Sequence, residues 1–259
     1  AGAIGIGQKR DRSVRFEVTG LFVDDSLLAK LPDPVRQVIT DAKPRGLVDI
    51  AGDWSYIPDG PGISRYEGLL DCAGVGFSAG WQFENITGDV AVRGRMEGSA
   101  SALSLDANLT SISLGGKDMG DTCIRLVQEP DEVRLERFQT RMFGGVLEGQ
   151  GRMFFAGKPS YAFFANARGM NLSDVLDKAF GFRREGLSGT LGARIKILSL
   201  TGKNSDTIGS ADADVQDGAL WEVPVILAMM NVLNLRLPER TQFNSAHTRL
   251  EWNNKGTFI

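Results

Sequence analysis

Gly145-Val146-Leu147-Glu148-Gly149-Gln150-Gly151-Arg152-Met153-Phe154-Phe155 alternates with period two. Gly145, Leu147, Gly149, Gly151, Met153 and Phe155 hold the odd positions, while the even ones include Glu148, Gln150 and Arg152. Successive side chains of a strand point to opposite faces, so this stretch reads as a strand with one apolar and one wet face. The same pattern recurs outward in both directions. Val14, Phe16 and Val18 alternate with Arg15, Glu17 and Thr19; Leu191, Ala193, Ile195 and Ile197 alternate with Thr190, Arg194 and Lys196. Ala211, Ala213 and Val215 alternate with Asp212, Asp214 and Gln216, and Leu250 and Trp252 stand between Arg249, Glu251 and Asn253. Further strands are predicted at 46–57, 80–93, 107–114, 122–128, 132–141 and 160–168, separated by turn clusters such as Asp59-Gly60-Pro61-Gly62 and Gly115-Gly116-Lys117-Asp118. The predicted fold is mainly β, a long twisted antiparallel sheet with a few short helices.

Three helices are expected. Asp33-Pro34 starts one over 35–42, Asn171 or Ser173 caps one over 172–180, and Pro224 opens one over 225–233. The last is apolar on nearly all sides, through Val225, Ile226, Met229, Met230 and Leu233 among others, so it is expected to cap or plug one end of the sheet. Strands of about eight residues offer far more apolar surface than three short helices, each about 10 Å wide, can cover. A second sheet, closure into a barrel or lipid acyl chains would have to bury the rest.

Composition narrows the functional classes. Hydrophobic residues make up 42% and charged ones 24%, which is globular rather than disordered. A formal charge of −3 lacks the basic excess of a nucleic-acid binder. Glycine is unusual, at 32 of 259 residues against an average of about 7%, as a chain of many strands and tight turns would require. One histidine, His247, and two distant cysteines, Cys72 and Cys123, do not make a zinc site or a disulfide scaffold, and no metal or cofactor is predicted. The two cysteines are read as free thiols, although an oxidising compartment would permit pairing.

Gly76-Phe77-Ser78-Ala79-Gly80 matches G-x-S-x-G, in which a strand-to-helix turn presents serine to a histidine. The residues after Gly80 alternate as a strand, so the motif is read as a glycine-rich strand connection and His247 as a polar strand residue. The chain is expected to be no enzyme. No Pro/Ser-rich linker divides residues 1–259, which read as one elongated β-rich region with a repeat-like segment over 1–130 and a second over 131–259. A faint repeat relates Arg15–Val23 and its following turn to Tyr161–Arg168. The sequence is expected to be a fragment, because it begins at Ala1 and stops at Ile259 inside an apparent strand.

Met142-Phe143-Gly144-Gly145-Val146-Leu147-Glu148-Gly149-Gln150-Gly151 resembles the GG-x-L-x-G-x-G strand pair of AsmA-like bacterial envelope proteins, relatives of the TamB-like proteins. Gly169-Met170-Asn171-Leu172-Ser173-Asp174-Val175-Leu176 is similar to that family's short helix after a strand, and Gly186-Leu187-Ser188-Gly189-Thr190-Leu191 to its L-x-G-x-L strand start. Gly209-Ser210-Ala211, Asp217-Gly218-Ala219-Leu220 and Val223-Pro224-Val225 follow in the family's order. The resemblance is clearest over 130–259. It implies a sheet curled into an open groove with an apolar inner surface, periplasmic and tethered to the inner membrane by an N-terminal helix outside this chain. It also implies a role in holding or conducting phospholipid between the inner and outer membranes, with acyl chains, bacterial membranes and envelope proteins as partners. Phe16, Leu147, Met153, Phe155, Phe163, Ile195 and Ile197 are the lipid-facing candidates, with ordinary core as the other reading. A self-packed assembly module for the outer membrane is the alternative function, and a serine hydrolase using Ser78 the third.

Overall fold

Alternation along each strand and antiparallel register between strands together decide where every side chain goes. The computed structural model describes residues 3–6, 12–29, 42–58, 62–78, 82–98, 100–157, 159–179, 181, 188–201, 206–218, 245–253 and 256–258. The chain divides into two compact units, Ala1–Thr140 with Gln150–Gly157, and Arg141–Gly149 with Lys158–Ile259.

The first unit holds β1 (Ala3–Ile6), β2 (Arg12–Val23), helix α1 (Asp25–Leu28), β3 (Arg45–Ile57), β4 (Ile63–Ser78), β5 (Gln82–Glu97), β6 (Ala100–Leu114), β7 (Lys117–Met119), β8 (Thr122–Glu129) and nearly all of β9 (Glu132–Met142). Each strand pairs antiparallel with the next, except that β7 folds back on β6 alone and β8 takes the place beside β6. Strand β10 (Gly145–Phe154) begins in the second unit, which continues with β11 (Ser160–Asn171), α2 (Leu172–Asp174, running on as a π-helical turn over Val175–Ala179), β12 (Thr190–Ser199), β13 (Thr207–Gln216), β14 (Ser245–Asn253) and β15 (Gly256–Phe258). From β11 onward the strands pair antiparallel in sequence order. Among the described residues neither set of strands closes into a barrel. The mainly β antiparallel class with few short helices is therefore what the alternation predicts. No described helix is long and apolar enough to cross a membrane.

Sequence reading overlooked β4. Leu69 and Leu70 stand at adjacent positions and Gly68 and Gly74 interrupt the apolar set, which blurs the period. The observed helix α2 lies where Asn171 predicts it, with the Asn171 side chain accepting from the Asp174 N–H at 3.1 Å. The predicted helices over 35–42 and 225–233 fall almost wholly or wholly outside the described residues.

Register collects the apolar side chains of the first unit onto one face. Trp54, Tyr66, Gly94 and Leu103 form one cross-strand row, and Ile50, Leu70, Val90, Ala107, Ile124 and Phe138 another. The row Val48, Cys72, Gly88, Leu109, Thr122 and Thr140 contains the unit's best-buried side chains. There the buried hydroxyls of Thr122 and Thr140 satisfy one another at 2.6 Å, as burial of polar groups demands. In the second unit Ala167, Met170 and Val175 form a buried cluster, against which Met142, Phe143, Leu147, Leu191 and Ala193 pack. Helix α2 thus covers one end of that unit's apolar face.

Glycines let aromatic rings lie across this face. The Tyr66 ring occupies the space that a Cβ on Gly94 would need, and a Cβ on Gly52 would stand 2.9 Å from Cζ of Phe16. Trp252 lies over Gly209 in the same way, directly opposite it in register. Gly94→Ala should therefore destabilise the protein by about 1–3 kcal/mol, because the Tyr66 ring must swing off its row. Gly68→Ala meets only the Ala51 carbonyl oxygen at 3.6 Å and should stay within about 0.5 kcal/mol of the parent. Equal denaturant midpoints for the two variants would refute this packing.

Candidate functional site

Both units expose apolar surface on the face that would ordinarily be covered. Phe16 is 37% exposed on β2, and Phe163 is 37% exposed on β11. Most other large side chains of the two apolar faces are half-buried, including Trp54, Tyr66, Leu70, Val92, Leu105, Ile195 and Ile197. Within each unit the described strands belong to one continuous sheet, each strand beside its hydrogen-bonded neighbours. A strand flanked on both sides loses its edges, yet its faces stay open until another layer arrives.

The predicted lipid-facing residues divide by position. Phe163 opposes Ile197, and Ile195 stands between Ala165 and Ala211, so these three share one face of the second unit. Phe16 shares its face with Gly52, Gly68 and Val92 in the first unit. Leu147 instead has protein neighbours in the Met170 and Val175 cluster. Met153 ends up near the end of β10 at 43% exposure, and Phe155 just beyond it at 48%. The proposed capping residues Val225, Ile226, Met229, Met230 and Leu233 lie outside the described residues. Sequence reasoning missed Ile50, Trp54, Tyr66, Leu70 and Leu105, although Leu103, Leu105, Ala107 and Leu109 already alternate along β6.

The opposite face carries most of the charge, with Phe22, Leu47 and Leu69 exposed among the ionic groups of the first unit and Ile208 among those of the second. Arg15 donates to Asp53 at 2.8 Å across β2 and β3, and Arg93 to Glu67 at 2.8 Å across β5 and β4. The carboxylate's hydrogen bond, ahead of its charge, raises the pKa of both guanidinium groups above their ordinary value. In the second unit Arg194, Asp212 and Arg249 form one row and Gly192, Asp214 and His247 another. Exposed pairs like these add little stability. Their effect is to keep each strand's polar face in water and the apolar faces of neighbouring strands together.

Ser78 ends β4 and pairs with Gln82 at the start of β5, so the chain turns back into an antiparallel strand where a nucleophile elbow would start a helix. Its backbone N–H donates to the Ala42 carbonyl at 2.6 Å. His247 shares a hydrogen bond with Asp214 at 2.7 Å through Nδ1 and stands on exposed strand surface. Among the described residues, no group of three or more His, Cys, Asp or Glu is placed to hold a metal ion.

Both cysteines are free. Cys72 shares its row with Thr122, so Cys123, the next residue, points to the other face. Three strand spacings of about 4.8 Å also separate them, well beyond the roughly 7 Å reach of a disulfide. Burial, ahead of the charges of Asp71 and Asp89, raises the Cys72 thiol above its ordinary pKa.

No protein-family model, curated protein or solved structure matches the chain.

Iodoacetamide at neutral pH should alkylate half-buried Cys123 and leave Cys72 unmodified until the protein is unfolded. Peptide mass spectrometry checks the order, and prior modification of Cys72 would contradict its placement in the buried row.

Proposed function

We propose that this chain is a non-enzymatic lipid-holding sheet of the AsmA-like kind, whose open apolar faces bind phospholipid acyl chains. One observation carries the reading: strand after strand presents half-exposed aromatic and branched side chains on one face of a single sheet. Water against such a face is unfavourable, and each acyl methylene buried there contributes about 0.8 kcal/mol. A strand-built surface suits a chain-like apolar ligand better than a compact one, since each row repeats a side chain at every strand, about every 4.8 Å across the sheet. Flat rings lying over glycines keep the face smooth, so an acyl chain can slide without meeting a specific pocket. The charged opposite face keeps the same sheet wetted. In this reading the protein works in the periplasm, tethered to the inner membrane by a segment outside the chain, and carries or stores phospholipid between the two membranes.

Site-specific photo-crosslinking in the full-length protein in cells tests the proposal. A crosslinker at Phe163, Ile195 or Ile197 should trap phospholipid, whereas one at Phe164, Arg194 or Lys196 on the same strands should not. Phe16 and Glu17 make the matching pair in the first unit. Equal trapping from both faces, or from neither, would exclude lipid as the covering layer and leave a self-packed assembly module.

A further inference from the structure

On the charged face of the first unit, Arg65 of β4 stands directly opposite Arg95 of β5. Their row continues to Ser55 on β3 and Ala102 on β6, so the residues flanking the pair on either side bring no carboxylate. Side chains opposed in this way are about 5 Å apart at Cβ, where like charges repel. The sheet balances a similar pair elsewhere. Arg125 faces Arg137, and Arg125 has Asp106 at 3.7 Å and Glu136 at 3.2 Å.

No such balance exists at Arg65. Asp53 is taken by Arg15 at 2.8 Å, Glu67 by Arg93 at 2.8 Å, and Glu129 by Arg134 at 3.0 Å. Arg95 reaches Glu97 on its own strand at 2.5 Å. Among the described residues Arg65 is left without an ion pair, on a row whose neighbours offer hydroxyls. A cavity of about 550 Å3 opens here, lined by Arg65, Arg93, Arg95, Ser55, Ser104 and Val127 and also by Asp53, Glu67 and Glu129, the three carboxylates already held by other arginines. By register these side chains belong to the charged face.

We propose that this cavity binds a phosphate-type oxyanion, clasped between Arg65 and Arg95. A guanidinium presents two parallel N–H donors that match two oxygens of a tetrahedral anion, and the anion removes the repulsion between the opposed arginines. Ser55 and Ser104 supply neutral donors at the rim. Farther along the same strands, Asp49, Asp71 and Asp89 form an acidic row that repels an anion and confines it to the arginine end. The phosphate is either free or carried on a lipid headgroup. The site lies on the face opposite the apolar one and stands independently of acyl-chain binding.

Calorimetric titration of inorganic phosphate into the full chain, at ionic strength held constant with sodium chloride, tests it. Saturable binding is expected, weakened about tenfold or more in Arg65→Gln and less in Arg65→Lys, and unchanged in Arg249→Gln on the second unit's charged face. Without phosphate, Arg65→Gln should melt no lower than the parent, because the substitution removes repulsion rather than a partner. Arg65-dependent flotation with phosphatidylglycerol vesicles would identify the phosphate as a headgroup, and phosphate binding without flotation would identify it as free. Absence of both, or equal phosphate binding by the parent and Arg65→Gln, would overturn the site.

Discussion

Apolar side chains on one side of every strand must meet their counterparts on the neighbouring strands, and antiparallel register is the interaction that makes them meet. Phe163 finds Ile197, Leu70 finds Val90, and Ala107 finds Ile124, because each pair is a register partner. Backbone hydrogen bonds alone would tolerate either face in contact with water. The alternation turns a ladder of equivalent bonds into a sheet with a dry side and a wet side. Everything else follows from that asymmetry: a buried row with Val48 and Leu109 at one end of the first unit, helix α2 closing part of the second, and partly exposed apolar side chains elsewhere on each unit's face.

This dependence explains how much was legible in the sequence. Stretches with strict alternation, such as Gly145–Phe155 and Leu191–Ile197, give their strand and their face directly, and the structure pairs Arg194 with Asp212 as the wet side requires. The β4 strand was hidden because Leu69 and Leu70 place apolar groups on both faces, with Leu69 exposed on the charged side. Its tertiary partners, rather than its own pattern, decide its register. Likewise, nothing in the spacing of Cys72 and Cys123 reveals that they point to opposite faces, since that follows only from the pairing of four strands. The opposed arginines were illegible for the same reason: Arg65 and Arg95 are thirty residues apart and become neighbours only through β4–β5 register.

Glycine content, which reads from sequence as turns, has a second cause. Several glycines sit inside strands, beneath rings. Gly52, Gly94 and Gly209 lie on the apolar faces under Phe16, Tyr66 and Trp252. A ring that lies flat over a neighbouring strand buries more of its area within a single sheet than one standing upright, which would need an opposing layer to cover it. The composition thus suits a sheet whose rings gain cover from the strand beside them.

The same rings also resolve an ambiguity that charge and alternation leave open. A slip of β5 past β4 by one residue is forbidden, because it would carry Arg93 and Asp89 onto the apolar face. A slip by two residues keeps every side chain on its proper face, and in one direction Glu67 would merely exchange Arg93 for Arg95. Electrostatics therefore does not fix that register. Tyr66 does, since a two-residue slip would bring its ring over Val92 or Met96, where a side chain already fills the space that Gly94 leaves empty. Phe16 over Gly52 and Trp252 over Gly209 apply the same constraint to their own strand pairs. Alternation selects the face and the aromatic–glycine rows select the register, so the described strand pairs are uniquely built by contacts within the sheet itself.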